Sequence, residues 1–324
     1  MLELKKEEYL NIYETMLRIR TFDETAAALS ESGELPGFVH PYSGEEAIAT
    51  GVCSELKDID CIVSTHRGHG HIIAKGGNLK KMWAELYGKA TGYSEGKSGS
   101  MHIADFSIGI IGANGIVGAC LPISNGVAFA LDYMGKDAVC VCFFGDGSTN
   151  RGTFHEALNL ASTWNLPIVF VNENNGYGSS TPRSEVMNVE RIAERAAAYG
   201  MTGVTVDGND VLAVKAAVRD AISRVKSGGG QTLIECITWR HHAHFVGDDQ
   251  SYKDPAEQAH WLSAEMDPIP RFEACILAEG VASEEELAAV RARVQTDIDD
   301  AVAFGRESPY PEPDSFWQHV YEEQ

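Results

Sequence analysis

Four runs along this chain are apolar at nearly every position: CIVS at 61–64, AVCVCFF at 138–144, LPIVFV at 166–171 and TLIECIT at 232–238. Continuous apolarity, as opposed to alternation, suits strands covered by helices on both faces, as in parallel sheets. Elsewhere the apolar residues recur at helical spacing. Tyr9, Ile12, Met16, Ile19 and Phe22 predict an amphipathic helix within the first thirty residues, ended by Gly33, Pro36 and Gly37. Val211, Val214, Val218, Ile222 and Val225 form one stripe with Lys215, Arg219 and Arg224 off it, and Gly228 to Gly230 stop that helix. Ser283 with Glu286 has the spacing of a capping box and predicts a further helix. Strands alternating with helices predict an α/β fold with a doubly wound, mostly parallel sheet. The expected layout is a single domain: an N-terminal helix over 1–35, an α/β core over 36–265, and C-terminal helices with an extended Pro-rich tail over 266–324.

Two motifs fall just past apolar runs. GDGSTNRG begins at Gly145 and NENNGYG begins at Asn172, and the segment between them, with Phe154, Leu158 and Ala161 on one side, reads as a helix facing the sheet. The unit is therefore βαβ, and its crossover brings the two strand ends together. Ligands of such sheets bind beyond the carboxyl ends of the strands. Asp146 and Asn175 then face one crevice, a carboxylate and an amide carbonyl that suit Mg²⁺ with phosphate oxygens. The amides of Gly147 and Ser148, read as opening the helix, make an anion site. The dinucleotide pattern G-x-G-x-x-G is missing, because after Gly147 the next glycine is Gly152; a P-loop Gly-Lys-Ser/Thr is missing as well.

Composition narrows the picture. The formal net charge of −21 argues against binding nucleic acid or an anionic membrane surface, but not against a small anion held by local donors. Seven cysteines (53, 61, 120, 140, 142, 236 and 275) with no C-x-x-C pair read as reduced core thiols. The opening MLELKKEEYLNIYE lacks the apolar core of a signal peptide, and no run is long enough to span a bilayer, so a cytoplasmic protein is expected.

G-D-G followed by N-N resembles the thiamine diphosphate motif, and nearly the whole chain is similar to the alpha subunits of 2-oxo acid and acetoin dehydrogenase components. The resemblance implies a thiamine diphosphate-binding fold in which Asp146, the Asn175 side chain and the Tyr177 carbonyl hold Mg²⁺, with Gly147 and Ser148 at the diphosphate. FVHPYSGEEA at 38–47 resembles the family's active-site histidine segment, placing His40 near substrate. THRGHGH at 65–71 is similar to the segment whose arginine, here Arg67, clamps the diphosphate; His66 stands where a Tyr is often found. Taken by themselves, His66, His69 and His71 also read as a surface loop or a zinc site. GANGIVGA at 112–119 resembles the segment whose backbone at Gly115 and Val117 lines the aminopyrimidine pocket.

WRHHAHFVGDD at 239–249 resembles the loop covering the cofactor, with His244 at the catalytic histidine and Asp248 at a nearby acidic position. Phe245 replaces the serine that mitochondrial relatives phosphorylate, so that regulation is excluded at this position. The loop, with GKSGSMHIADF at 96–106, looks closer to acetoin than to pyruvate dehydrogenase alpha subunits. That likeness implies cleavage of acetoin to acetaldehyde, a hydroxyethyl unit kept on the cofactor, and oxidative acetyl transfer to lipoamide on a dihydrolipoyl acetyltransferase. A pyruvate or branched-chain 2-oxo acid substrate is the alternative; a transketolase-like half-enzyme or a non-catalytic subunit stands behind both. His244 and His40 are the expected proton carriers, because imidazole titrates near neutral pH. No second α/β domain fits in the remaining chain. The resemblance therefore implies a separate beta subunit carrying the pyrimidine-binding domain, an α₂β₂ heterotetramer, and no activity from this chain alone.

Overall fold

A computed structural model describes residues 4–318. The strands, in chain order, are β1 (Cys61–Val63), β2 (Ile110–Gly112), β3 (Cys140–Gly145), β4 (Ile168–Asn174), β5 (Tyr177–Gly178), β6 (Thr181–Pro182), β7 (Thr202–Asp207) and β8 (Thr232–Ile237). The helices are α1 (Lys6–Glu31), α2 (Glu46–Cys53), α3 (His69–Ala74), α4 (Leu79–Leu86), α5 (Cys120–Tyr133), α6 (Gly152–Thr163), α7 (Arg183–Val186), α8 (Val211–Lys226), α9 (Pro255–Trp261), α10 (Pro268–Ala278) and α11 (Glu284–Glu307). Six strands form one sheet in the order β2-β1-β3-β4-β8-β7, with every pairing parallel; β5 and β6 make a small separate hairpin.

The continuous apolar runs have a simple cause. Val141, Phe143, Val169, Val171 and Ile234 pack on one face with α1, α2 and α8. Cys140, Cys142, Phe144, Ile168, Phe170 and Leu233 pack on the other face with α5 and α6. Successive residues of a strand point to opposite faces, so two cores demand apolar residues at every position. Gly145 pairs with Glu173, and Glu173 with Cys236, so the carboxyl ends of β3, β4 and β8 lie level at one edge.

The four apolar runs became β1, β3, β4 and β8, and the two remaining strands of the six-stranded sheet lack such a run. β7 lies at the end of the sheet, and its residues alternate between half-buried and exposed; β2 is three residues long. Ser283 and Glu286 do form a capping box on α11. Lys215 departs from expectation. It is buried on α8, where its Nζ meets Glu55 Oε1 at 2.5 Å and Ser54 Oγ at 3.1 Å. The tail also departs from the extended form, with a 3-10 turn at Pro313–Trp317 whose Phe316 and Trp317 are exposed; its last residues, 319–324, lie outside the described residues. All seven cysteines are free. Among the described residues no helix is long and apolar enough to cross a membrane.

Candidate active site

The ends of β3 and β4 open onto a cavity of about 400 Å³. From Gly145 the chain winds through a 3-10 helix, Asp146–Asn150, before α6 begins at Gly152. The helix expected to open at Gly147 and Ser148 is thus a tighter turn first. Its local cause is side-chain competition: the Ser148 and Thr149 hydroxyls donate to the carbonyls of Gly145 (2.6 Å) and Asp146 (2.7 Å). Asp146 is buried, and its Oδ2 has no hydrogen-bond partner among the described residues. Burial pushes its carboxyl up to about 6, against the opposing pull of the Gly147 N–H and Arg240.

β4 runs past its apolar stretch to include Asn172, Glu173 and Asn174. The two asparagines of the N-N pair then part ways. Asn174 Nδ2 donates to Glu235 Oε1 at 2.7 Å, within the fold, whereas Asn175 lines the cavity. Asn175 Nδ2 donates to Glu45 Oε1 at 2.9 Å, and its Oδ1 accepts the Tyr177 N–H at 3.3 Å. The hairpin that follows presses on the 3-10 turn, since a Cβ on Gly147 would lie 2.9 Å from the Gly178 Cα. An orphaned buried carboxylate oxygen and an amide carbonyl lining one cavity make a hard-oxygen set that fits Mg²⁺.

The opposite wall holds three histidines. The ring of His40 lies 5.0 Å from that of His66 and 5.1 Å from that of His244, and His66 lies 5.3 Å from His244. Two buried arginines back them. Arg67 donates to the carbonyls of Pro41 (2.6 Å) and His244 (2.9 Å). Arg240 donates to the Ser179 carbonyl at 3.0 Å and lies 3.2 Å from Nδ1 of His244. A guanidinium can only donate, so that Nδ1 accepts, and the neutral ring carries its proton on Nε2. Burial first, and Arg67 next, hold the histidines far below the usual imidazole value: about 3 for His40, about 2 for His66 and about 4 for His244. The expectation of imidazoles titrating near neutral pH is therefore corrected; all three are neutral there. One nitrogen from each lies within 4.8 Å of the others, but two adjacent guanidinium charges make this wall a place for anions rather than a metal.

His69 and His71 correct the surface-loop and zinc readings. Both are buried: His69 bonds Asp23 Oδ1 (2.6 Å) and Ser100 Oγ (2.9 Å), and His71 bridges Ser64 Oγ and Glu173 Oε1, each at 2.8 Å. Gly115 and Val117 lie on the cavity between β2 and α5, and Val117 and Ile116 stand exposed at its mouth. Asp248 stays outside the cavity lining, where it accepts the His244 N–H at 3.0 Å and the Tyr252 hydroxyl at 2.8 Å, folding the loop. Phe245 meets Phe38 edge-on at 5.6 Å. His40, His66, Arg67, Asp146, Gly147, Ser148, Asn175, Tyr177 and His244 line the same space. Glu45, Glu173 and Arg240 line it too, and sequence reasoning passed over them. Their one signal was charge within otherwise apolar or motif-bearing segments.

A family model described as dehydrogenase E1 component matches residues 13–314. The alpha subunit of acetoin:2,6-dichlorophenolindophenol oxidoreductase from Bacillus subtilis (strain 168) is 52% identical, over 99% of this chain and 95% of that protein. The protein of the same name from Cupriavidus necator is 45% identical, over 99% of this chain and 96% of its own length. The pyruvate dehydrogenase E1 component subunit alpha of Porphyra purpurea is 38% identical, over 96% and 92% respectively.

Proposed function

The chain belongs to the dehydrogenase E1 component family, an oxidoreductase family that implies thiamine diphosphate and a beta subunit, and from that premise we propose that it is the alpha subunit of an acetoin-cleaving dehydrogenase component. What carries acetoin over a 2-oxo acid is the higher identity to the two acetoin-named relatives than to the pyruvate-named one. The geometry supports it. Breaking the bond between the carbonyl and carbinol carbons of acetoin requires a base for the hydroxyl proton, whereas a 2-oxo acid sheds carbon dioxide without one. His40 lines the cavity with its ring 5.1 Å from that of His244, and in this reading it is the side chain placed to take that proton.

In this reading Asp146, the Asn175 side-chain oxygen and the Tyr177 carbonyl hold Mg²⁺. The amides of Gly147 and Ser148, with Arg67 and His66, face the diphosphate, and Gly115 and Val117 line the pyrimidine. When bound, thiamine diphosphate supplies a carbanion and an electron sink. The chain's own part is positioning and proton transfer. His244, its proton fixed on Nε2 by Arg240, donates to the substrate carbonyl oxygen; His40 takes the carbinol proton as acetaldehyde leaves. The exposed Ile116 and Val117 at the mouth support a beta subunit that closes the cavity in an α₂β₂ heterotetramer. A lipoyl group on an acyltransferase is the proposed acceptor of the acetyl unit.

The test is reduction of an artificial electron acceptor by the assembled complex with thiamine diphosphate and Mg²⁺, comparing acetoin, pyruvate and branched-chain 2-oxo acids. Acetoin-dependent reduction is expected. Turnover with a 2-oxo acid alone would overturn the substrate and leave the cofactor site standing.

A further inference from the structure

Glu45 is 1% exposed and sits at the N-cap of α2, facing the cavity. The backbone that carries it is clamped against the segment after β8. Gly44 has φ +99°, and a Cβ there would meet the Trp239 carbonyl oxygen at 2.2 Å. His241 N–H donates to the Ser43 carbonyl at 2.9 Å, and the Thr238 hydroxyl donates to the Gly44 carbonyl at 3.2 Å. The adjacent Glu46 turns away to Arg20, with Oε1 2.5 Å from its Nε. Two neighbouring glutamates thus face opposite sides of one turn, and only Glu45 reaches the cavity.

The two carboxyl oxygens of Glu45 divide their work. Oε1 takes the Asn175 Nδ2–H at 2.9 Å, while Oε2 lies 3.7 Å from Arg67 Nε. Burial, and Glu173 next, push the Glu45 carboxyl up to about 8, so it is the backbone N–H of Tyr177, which can only donate, that identifies the Asn175 oxygen and leaves the amide nitrogen facing Glu45 Oε1. One lone pair of that oxygen receives the Tyr177 N–H at 3.3 Å and the second is left for a cation. We infer that Glu45 is a positioning residue of the metal site: it fixes which end of the Asn175 amide is offered to the cation, and holds Arg67 beside it. The inference rests on the cofactor reading above. Groups that orient a metal ligand commonly change metal affinity by roughly tenfold to a hundredfold when removed.

The experiment is a calorimetric titration of Mg²⁺ into the assembled complex saturated with thiamine diphosphate. Glu45→Asp keeps the carboxyl but falls one methylene short of Asn175, and roughly tenfold weaker Mg²⁺ binding is expected. Glu45→Gln keeps the reach and an acceptor oxygen, and should stay close to wild type. In an Asn175→Asp background either carboxylate oxygen can ligate, so Glu45→Asp should carry no further cost there. Wild-type affinity in Glu45→Asp, or an equal loss in both backgrounds, would overturn the inference alone. A wild-type complex that binds the cofactor with no need of Mg²⁺, as Asp146→Ala would then also do, would remove the cofactor reading along with it.

Discussion

At His244 the neighbours decide the protonation state before any substrate arrives. Arg240 and Arg67 approach Nδ1 at 3.2 and 3.5 Å, so the ring stays neutral and presents Nε2–H. His244→Ala should therefore lower kcat by about 10²- to 10⁴-fold, the usual worth of a positioned proton donor. Cofactor affinity should persist, because Arg67 bonds the His244 backbone carbonyl, which the substitution keeps. Equal losses in turnover and in cofactor binding, measured side by side, would refute the proton-donor role. His66 gives a second test at this scale. Its folded value is about 2 against 6.5 for the free group, so below about pH 6.5 the unfolded chain binds a proton that the folded chain refuses. Its contribution to stability falls as the pH drops through that window. Between pH 7 and pH 5 the thermal midpoint of the wild type should fall further than that of His66→Asn. Parallel curves for the two proteins would contradict the assigned burial of the neutral ring.

Elements act here through their ends. β3 and β4 are held by ordinary core packing, yet what they deliver depends on the few residues after the last apolar one. The 3-10 turn at Asp146–Asn150 and the β5–β6 hairpin touch through Gly147 and Gly178, with no room for a side chain between them. Gly147→Ala should push the hairpin, and with it the Tyr177 carbonyl, away from Asp146. Overpacking of this kind costs about 1–3 kcal/mol, so the complex should bind thiamine diphosphate roughly tenfold more weakly while its far-UV circular dichroism is unchanged. Full affinity in that variant would show that the hairpin does not set the metal site.

For the whole molecule the relevant contrast is between global and local charge. A chain with net charge −21 repels anions at long range, and yet two buried guanidinium groups wait at the cavity. Under the proposed function, a diphosphate bound there would be recognised at contact distance, and a metal dication would offset the orphaned Asp146. Ile116 and Val117 of the cavity lining also stand in solvent. The isolated chain should accordingly show no acetoin-dependent reduction, and adding the beta subunit should restore it. Full activity from the chain alone, checked for a contaminating partner by mass spectrometry, would contradict an active site shared between subunits.

Sequence alone determined the doubly wound sheet, because strands packed on both faces must be apolar throughout and β1, β3, β4 and β8 advertise this directly. It also placed Asp146 and Asn175 at one crevice, since a βαβ crossover leaves little choice. β7 and β2 were hidden: the first is half-wet at the edge of the sheet, the second only three residues long. Chain order carries no trace of which glutamate of the Glu45–Glu46 pair faces the cavity, of Arg240 lying against His244, or of His69 and His71 turning inward to Asp23 and Glu173. Those outcomes depend on contacts between residues far apart in the chain, and the same contacts set the charge of each histidine. Only the tertiary structure, by removing water from one wall and supplying two fixed cations, made the three imidazoles neutral.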